Sequence, residues 1–199
     1  MRKTVIAVTG GIGSGKSAVV SAFTALGIPA YDCDSRTKEL YRSDRALAAE
    51  VARLLGPDVL AADGSLSTRA MAAKLFSDKA LMHSLEEVVH PAVGADFRRW
   101  AAAQQSELVV MESAILLEKP FFDNFADCII TVSAPQEVRI QRVMRRNGLS
   151  REQVLQRMSS QWSDSQREAR ADMVLVTDDR HAVLPQILEL IDRLKQKSF

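Results

Sequence analysis

Residues 9–17 read TGGIGSGKS and follow the short apolar run TVIAV at residues 4–8. From Gly10 to Ser17 the spacing is G-x-x-x-x-G-K-S, the pattern of a P-loop. In such a loop, backbone N–H groups wrap phosphate oxygens, the lysine reaches the β and γ phosphates, and the hydroxyl after it ligates Mg²⁺. The context fits. Val5–Val8 can form a buried strand before the loop, and Ala18–Leu26 has helical composition after it. A helix beginning at Lys16 and Ser17 would add its N-terminal N–H groups and positive dipole end to the anion site. The expected phosphate contacts are therefore Gly11, Ile12, Gly13, Ser14, Gly15, Lys16, Ser17 and Ala18.

Gly11 and Gly13 also begin a G-x-G-x-x-G dinucleotide fingerprint, with Asp32 and Asp34 about twenty residues on. The third glycine of that pattern is replaced by Lys16, where close helix–strand packing needs a small residue. The phosphate loop is the better reading.

The chain of 199 residues is long enough for a substantial core, and its 26 basic against 25 acidic residues leave a formal charge of +1. No global field would recruit nucleic acid or an acidic membrane. Cys33 and Cys128 lack metal or redox spacing, which suggests a reduced, cytoplasmic protein. The apolar stretch after Met1-Arg2-Lys3 is too short for a signal peptide, and no run of about 18 apolar residues offers a membrane span.

Short apolar strands are expected at Val5–Val8, Ile28–Tyr31, Leu108–Met111, Cys128–Val132 and Met173–Val176. Helical segments lie between them, so the fold class is α/β, a parallel sheet flanked by helices. The long interval before Leu108 reads as an inserted helical lobe. Its helices are expected at Arg45–Leu55, Thr68–Phe76 and Lys79–Val89, with Ser67 and Asp78 as start signals. A further helix is expected to begin at Pro91 and run to about Gln105, with His90 just outside it. A second helical excursion between Val132 and Met173 carries a run of arginines: Arg139, Arg142, Arg145, Arg146, Arg151, Arg157, Arg167 and Arg170. Charge runs of this kind commonly form solvated helix faces.

Beyond the loop, Asp32 and Asp34 follow a strand whose carboxyl end lies where ligands of open α/β sheets collect. Either could accept a hydroxyl proton in phosphoryl transfer to an alcohol, and either could cap the helix that starts near Ser35. Glu112 ends a strand at the position of an acid that holds Mg²⁺ directly or through water. A strand-end surface charge is its plainer alternative. Arg142 and Arg146 are four apart and share a helix face, suited to phosphate oxygens. His90 reads as a substrate contact or as a packing residue.

These segments together resemble the dephospho-CoA kinase family over essentially the whole chain. The resemblance rests on TGGIGSGKS, the D-x-D of YDCD, ADGSLSTR followed by LFSD, EEVVHP ending at Pro91, ESAILLE, and SAP with the later R-x-x-x-R. It implies a P-loop NTPase-type α/β kinase that uses ATP with Mg²⁺ to phosphorylate the ribose 3′-hydroxyl of dephospho-CoA. It implies one kinase domain, with a core at about 1–35 and 107–199, a helical CoA-binding lobe at about 36–106 and a helical lid at about 139–171. It maps the base onto Asp34, acceptor contacts onto Asp34 and onto Arg69 and His90 of the helical lobe, and the lid onto the Arg142 region; the reading of the residues themselves adds charge stabilisation by Lys16 and Arg142, ATP contacts from Arg142 and Arg146 besides the loop, and a metal at Ser17 and Glu112. The sequence departs from the family at Ala18, where threonine is usual, and at Glu112 and Ala114, where Asp and Pro are common. TDD at 177–179 stands where an N-x-G type motif seats adenine. The rivals are a nucleoside or nucleoside-monophosphate kinase on the same core, and a GTP switch, for which no N-K-x-D signature is visible.

Overall fold

The computed structural model describes residues 2–76, 78–118, 125–178 and 180–197. Its backbone grows from β1 (Thr4–Thr9), five of whose six residues are buried. Such a run can be buried on both faces only at the centre of a sheet, and β1 sits there: the strand order is β2-β3-β1-β4-β5. The flanking strands are β2 (Ala30–Asp32), β3 (Leu108–Glu112), β4 (Cys128–Ser133) and β5 (Met173–Val176). β1 pairs in parallel with β3 and with β4, and β4 pairs in parallel with β5. The chain thus leaves β1 between two neighbours that continue in different directions through the fold, the kind of point at which open α/β sheets bind ligands.

Helix α1 (Lys16–Ala25) follows the loop after β1. Its Val19 and Phe23 join Ile6, Val8, Ile130, Val132 and Leu175 of the sheet, together with Ile187, Leu190 and Ile191 of the C-terminal helix (Val183–Lys197), in one apolar core. The strands expected from sequence are all present, with bounds moved by a residue or two; β2 starts at Ala30 rather than Ile28.

The chain divides into two compact units, residues 1–31 with 104–199, and residues 32–103. The second unit is helical: α2 (Cys33–Ser43), α3 (Arg45–Leu55), α4 (Thr68–Leu75) and α5 (Lys79–Ala103). Ser67 caps α4 by accepting the Ala70 N–H, and the Asp78 carboxylate accepts the Leu81 N–H at the start of α5. The expected break at Pro91 does not occur. α5 runs through it for 25 residues, with His90 inside the helix and Pro91 exposed. Pro91 removes one N–H from the ladder, yet Leu85, Val89, Val93 and Phe97 keep one stripe of the helix buried on both sides of it. That packing outweighs the local cost of proline.

In the first unit, β4 is followed by α6 (Gln136–Asn147), α7 (Arg151–Ser159) and α8 (Asp164–Glu168), and the C-terminal helix, now α9, follows β5.

Candidate active site

The loop from Gly10 to Gly15 is built from conformations that side chains resist. Gly13 and Gly15 have φ of 78° and 94°. Gly11 is glycine for a different reason: a Cβ there would collide with the guanidinium groups of Arg139 and Arg167. Gly15 is the N-cap of α1 and offers no side-chain acceptor to the helix's first N–H groups. With no cap to compete, that end of the helix suits an anion.

Lys16 is not directed freely into solvent, as a bare loop lysine would be. It is half-buried, and its Nζ donates to the Gly10 carbonyl at 2.8 Å. This folds the ammonium back over the mouth of its own loop. Ser17 and Ala18 are exposed on the first turn of α1, whereas Ser14 is buried with no partner for its hydroxyl among the described residues. Glu112, the last residue of β3, lies in register with Val8 of β1, and the next residue, Ser113, donates its N–H to the Val8 carbonyl at 3.1 Å. Glu112 and the loop thus leave the sheet from adjacent strands.

The arginine run is not uniformly a solvated face. Arg139 and Arg167 are 4% and 2% exposed, and Asp164 lies between them, accepting from Arg139 and, at 2.9 Å, from Arg167 Nη2. Arg139 Nε also donates to the Ile12 carbonyl at 2.9 Å. A sequence signal for Arg139 does exist: it is four residues before Val143, on the stripe by which α6 packs. Arg167 carries no comparable mark.

Arg142 and Arg146 lie in different surroundings. Arg142 is half-buried and donates to Thr177 Oγ1 at 3.0 Å and to the Thr177 carbonyl; Arg146 is exposed and donates to Asn147. Thr177, in turn, donates its hydroxyl to the Ser14 carbonyl. A chain of contacts therefore joins α6, the segment after β5 and the loop. Of the TDD segment, Asp179 lies outside the described residues. Asp178 accepts from the His181 ring at 2.8 Å and from the backbone N–H groups of Arg180 and His181. The His181 ring, more than those N–H groups, holds the Asp178 carboxyl below the usual carboxylate range.

Within the second unit, the two aspartates separate cleanly. Asp32 is the N-cap of α2, accepting the N–H groups of Asp34 and Ser35 and the Ser35 hydroxyl at 2.9, 3.2 and 2.6 Å. Asp34 is exposed on the first turn of that helix. Arg69 is exposed near the start of α4, and His90 is half-buried in α5. No group of three or more His, Cys, Asp or Glu side chains among the described residues could hold a metal by itself.

A family model described as dephospho-CoA kinase matches residues 4–182. Relatives named dephospho-CoA kinase include one from Bacteroides fragilis, 39% identical over 193 residues, spanning 96% of this chain and 93% of the relative. Another, from Porphyromonas gingivalis, is 38% identical over 193 residues, 96% of this chain and 95% of its own. Among solved structures, a Thermus thermophilus protein superposes with a TM-score of 0.83 at 33% identity, over 97% of this chain and 98% of that one. A shikimate kinase from Bacteroides thetaiotaomicron, 15% identical with a TM-score of 0.54 over 95% of this chain and 98% of that one, shares the fold alone.

Proposed function

Since the chain belongs to the dephospho-CoA kinase family, we propose an assignment of its residues to the steps of that family's reaction. The enzyme transfers the γ-phosphoryl group of ATP to the ribose 3′-hydroxyl of dephospho-CoA, giving coenzyme A and ADP. The observation that carries this reading is the family match over residues 4–182, which begins at the strand leading into the G-x-x-x-x-G-K-S loop.

In the assignment, the backbone of Gly11 to Ala18 receives the phosphates. Lys16 gives up its bond to the Gly10 carbonyl for phosphate oxygens, exchanging a neutral acceptor for an anionic one and so making a stronger contact. Asp34 takes the 3′-hydroxyl proton as the oxygen attacks phosphorus and the bond from phosphorus to the ADP oxygen breaks. What supports Asp34 over Asp32 is that the Asp32 oxygens are engaged in capping α2. Arg142 offsets the charge that develops on the transferring group, and Arg146 is a weaker ATP contact. Arg69 and His90 bind the acceptor.

Mg²⁺ fits the donors present. It commonly takes only one or two protein oxygens and fills its remaining positions with water and phosphate, so the Ser17 hydroxyl with the Glu112 carboxylate is a sufficient set even without a carboxylate cluster. Held by Ser17 and Glu112, the ion would neutralise part of the phosphate charge.

The family's lid corresponds to about residues 139–171, its core to about 1–35 and 107–199, and its acceptor lobe to about 36–106. ATP and dephospho-CoA are the expected partners, and the near-neutral charge gives nucleic acid no general attraction. No helix among the described residues is long and apolar enough to cross a membrane, and the two cysteines are buried free thiols, which suits the cytoplasm.

The test is a panel of acceptors at saturating Mg·ATP: dephospho-CoA, AMP, CMP and shikimate, each followed by ADP release. Turnover is expected with dephospho-CoA and at background level with the others. Preference for a nucleoside monophosphate would replace the reading with its nearest rival.

A further inference from the structure

Four glycines within six residues leave the loop from Gly10 to Gly15 with little steric definition of its own, so the conformation that receives phosphate must be fixed from outside it. The structure provides three such holds on Ile12. The Ile12 N–H donates to Gln161 Oε1 at 2.9 Å, and the Ile12 carbonyl accepts from Arg139 Nε at 2.9 Å. The Ile12 side chain packs on Ile140, Val143 and Val154, which join α6 to α7. Both polar groups of one loop residue are thus taken by side chains 149 and 127 residues away in sequence.

The holds are themselves held. Arg139 is ion-paired with Asp164, whose other oxygen accepts from Arg167 at 2.9 Å. Arg167 Nη1 stands 3.6 Å from Glu118 Oε1, and that same oxygen accepts the Trp162 N–H at 3.2 Å. Arg167 Nε and Nη1 are buried without a hydrogen-bond partner among the described residues. Buried ion pairs are weak sources of stability, because desolvation offsets most of their attraction. Their position against Gly11 and Ile12 is therefore the informative feature.

We propose that Gln161, together with Arg139 and Arg167 joined through Asp164, are positioning residues for the phosphate loop. They fix the loop at Gly11 and Ile12 so that the N–H groups of the residues that follow are already turned toward phosphate, and none of them is assigned a contact with substrate. Prealigned donors avoid reorganisation during the reaction, and small misplacements of them are costly. The consequence is that the segment 161–167 controls ATP handling without touching the acceptor. This inference rests on the kinase reading above.

The test uses the full chain with Gln161→Met, which keeps side-chain length and removes the acceptor oxygen, and Asp164→Asn, which removes the charge joining the two guanidiniums. Calorimetry of Mg·ATP binding without acceptor is run beside steady-state kinetics with dephospho-CoA. For Gln161→Met we expect a loss of about tenfold in kcat/KM for ATP and weaker ATP binding, with KM for dephospho-CoA unchanged and Tm within about 2 °C of wild type. Asp164→Asn should move the same quantities, and the double variant should lose less than the product of the two single losses, because both act through one loop. Wild-type ATP binding and kinetics in Gln161→Met, or losses that track Tm in both variants, would overturn the proposal. Should Asp164→Asn fail to fold, Gln161→Met decides alone, since Gln161 is only half-buried. An inactive wild type that binds ATP normally would instead count against the acceptor assignment, and the calorimetric comparison of the two proteins would still decide the role of Gln161.

Discussion

Lys16 and the two aspartates show how one residue's partners decide what its substitution means. Lys16 has a ground-state bond to Gly10, so Lys16→Ala removes a small structural contact as well as the proposed phosphate contact. The loss of that contact should cost about 1 kcal/mol of stability or less, whereas phosphoryl transfer should fall by at least about a hundredfold. A chemical melt and a turnover assay on the same preparation check both. Asp34→Asn keeps the shape but cannot take a proton. We expect kcat to fall by about 10²- to 10⁴-fold with KM for dephospho-CoA little changed. Asp32→Asn should be nearly silent because asparagine caps helices as well as aspartate does, and Asp32→Ala should cost about 1 kcal/mol of stability. Kinetics of Asp34→Asn and Asp32→Asn side by side decide the assignment: greater damage from Asp32→Asn would move the base to Asp32. At Gly11, the added methyl of Gly11→Ala meets two buried guanidiniums, so this variant should lose stability and ATP affinity together.

Among the elements, the segment after β5 is tied to the loop by Thr177, which accepts from Arg142 and donates to Ser14. Thr177→Val keeps the volume and removes both hydroxyl bonds, leaving Arg142 its bond to the backbone carbonyl of residue 177. We expect weaker ATP binding, read by calorimetry, with the acceptor KM unchanged. The turn that follows carries a pH signature. Because the His181 ring contributes most to depressing the Asp178 carboxyl, its stabilising effect is complete above the ordinary carboxylate range and disappears as the pH falls through the depressed value. In a carbon-detected titration, Asp178 should titrate below ordinary aspartate in the wild type and move up in His181→Ala. The element that sequence reasoning divided, α5, shows why local signals have limits. Proline before an apparent fresh start argues for a new helix, but the buried stripe from Leu85 to Phe97 is a tertiary fact, and it carries one helix through.

At the scale of the whole molecule, the loop, the strands and the caps at Ser67 and Asp78 could be read directly, because each is encoded by a few adjacent residues. Arg139, Gln161, Asp164, Arg167 and Thr177 could not, because their meaning depends on contacts that span the chain, and a buried arginine looks in sequence like any other member of a charge run. The sheet order was out of reach for the same reason: strands separated by 75 residues of helix and loop, such as β2 and β3, become neighbours only in three dimensions. The central claim is that this assembly phosphorylates one hydroxyl of one acceptor. Phosphorus NMR and mass spectrometry of the product formed from ATP and dephospho-CoA test it most directly. The expected result is stoichiometric ADP and a single new phosphomonoester on the ribose 3′-oxygen. Hydrolysis of ATP without a phosphorylated acceptor, or a phosphate at another oxygen, would contradict it.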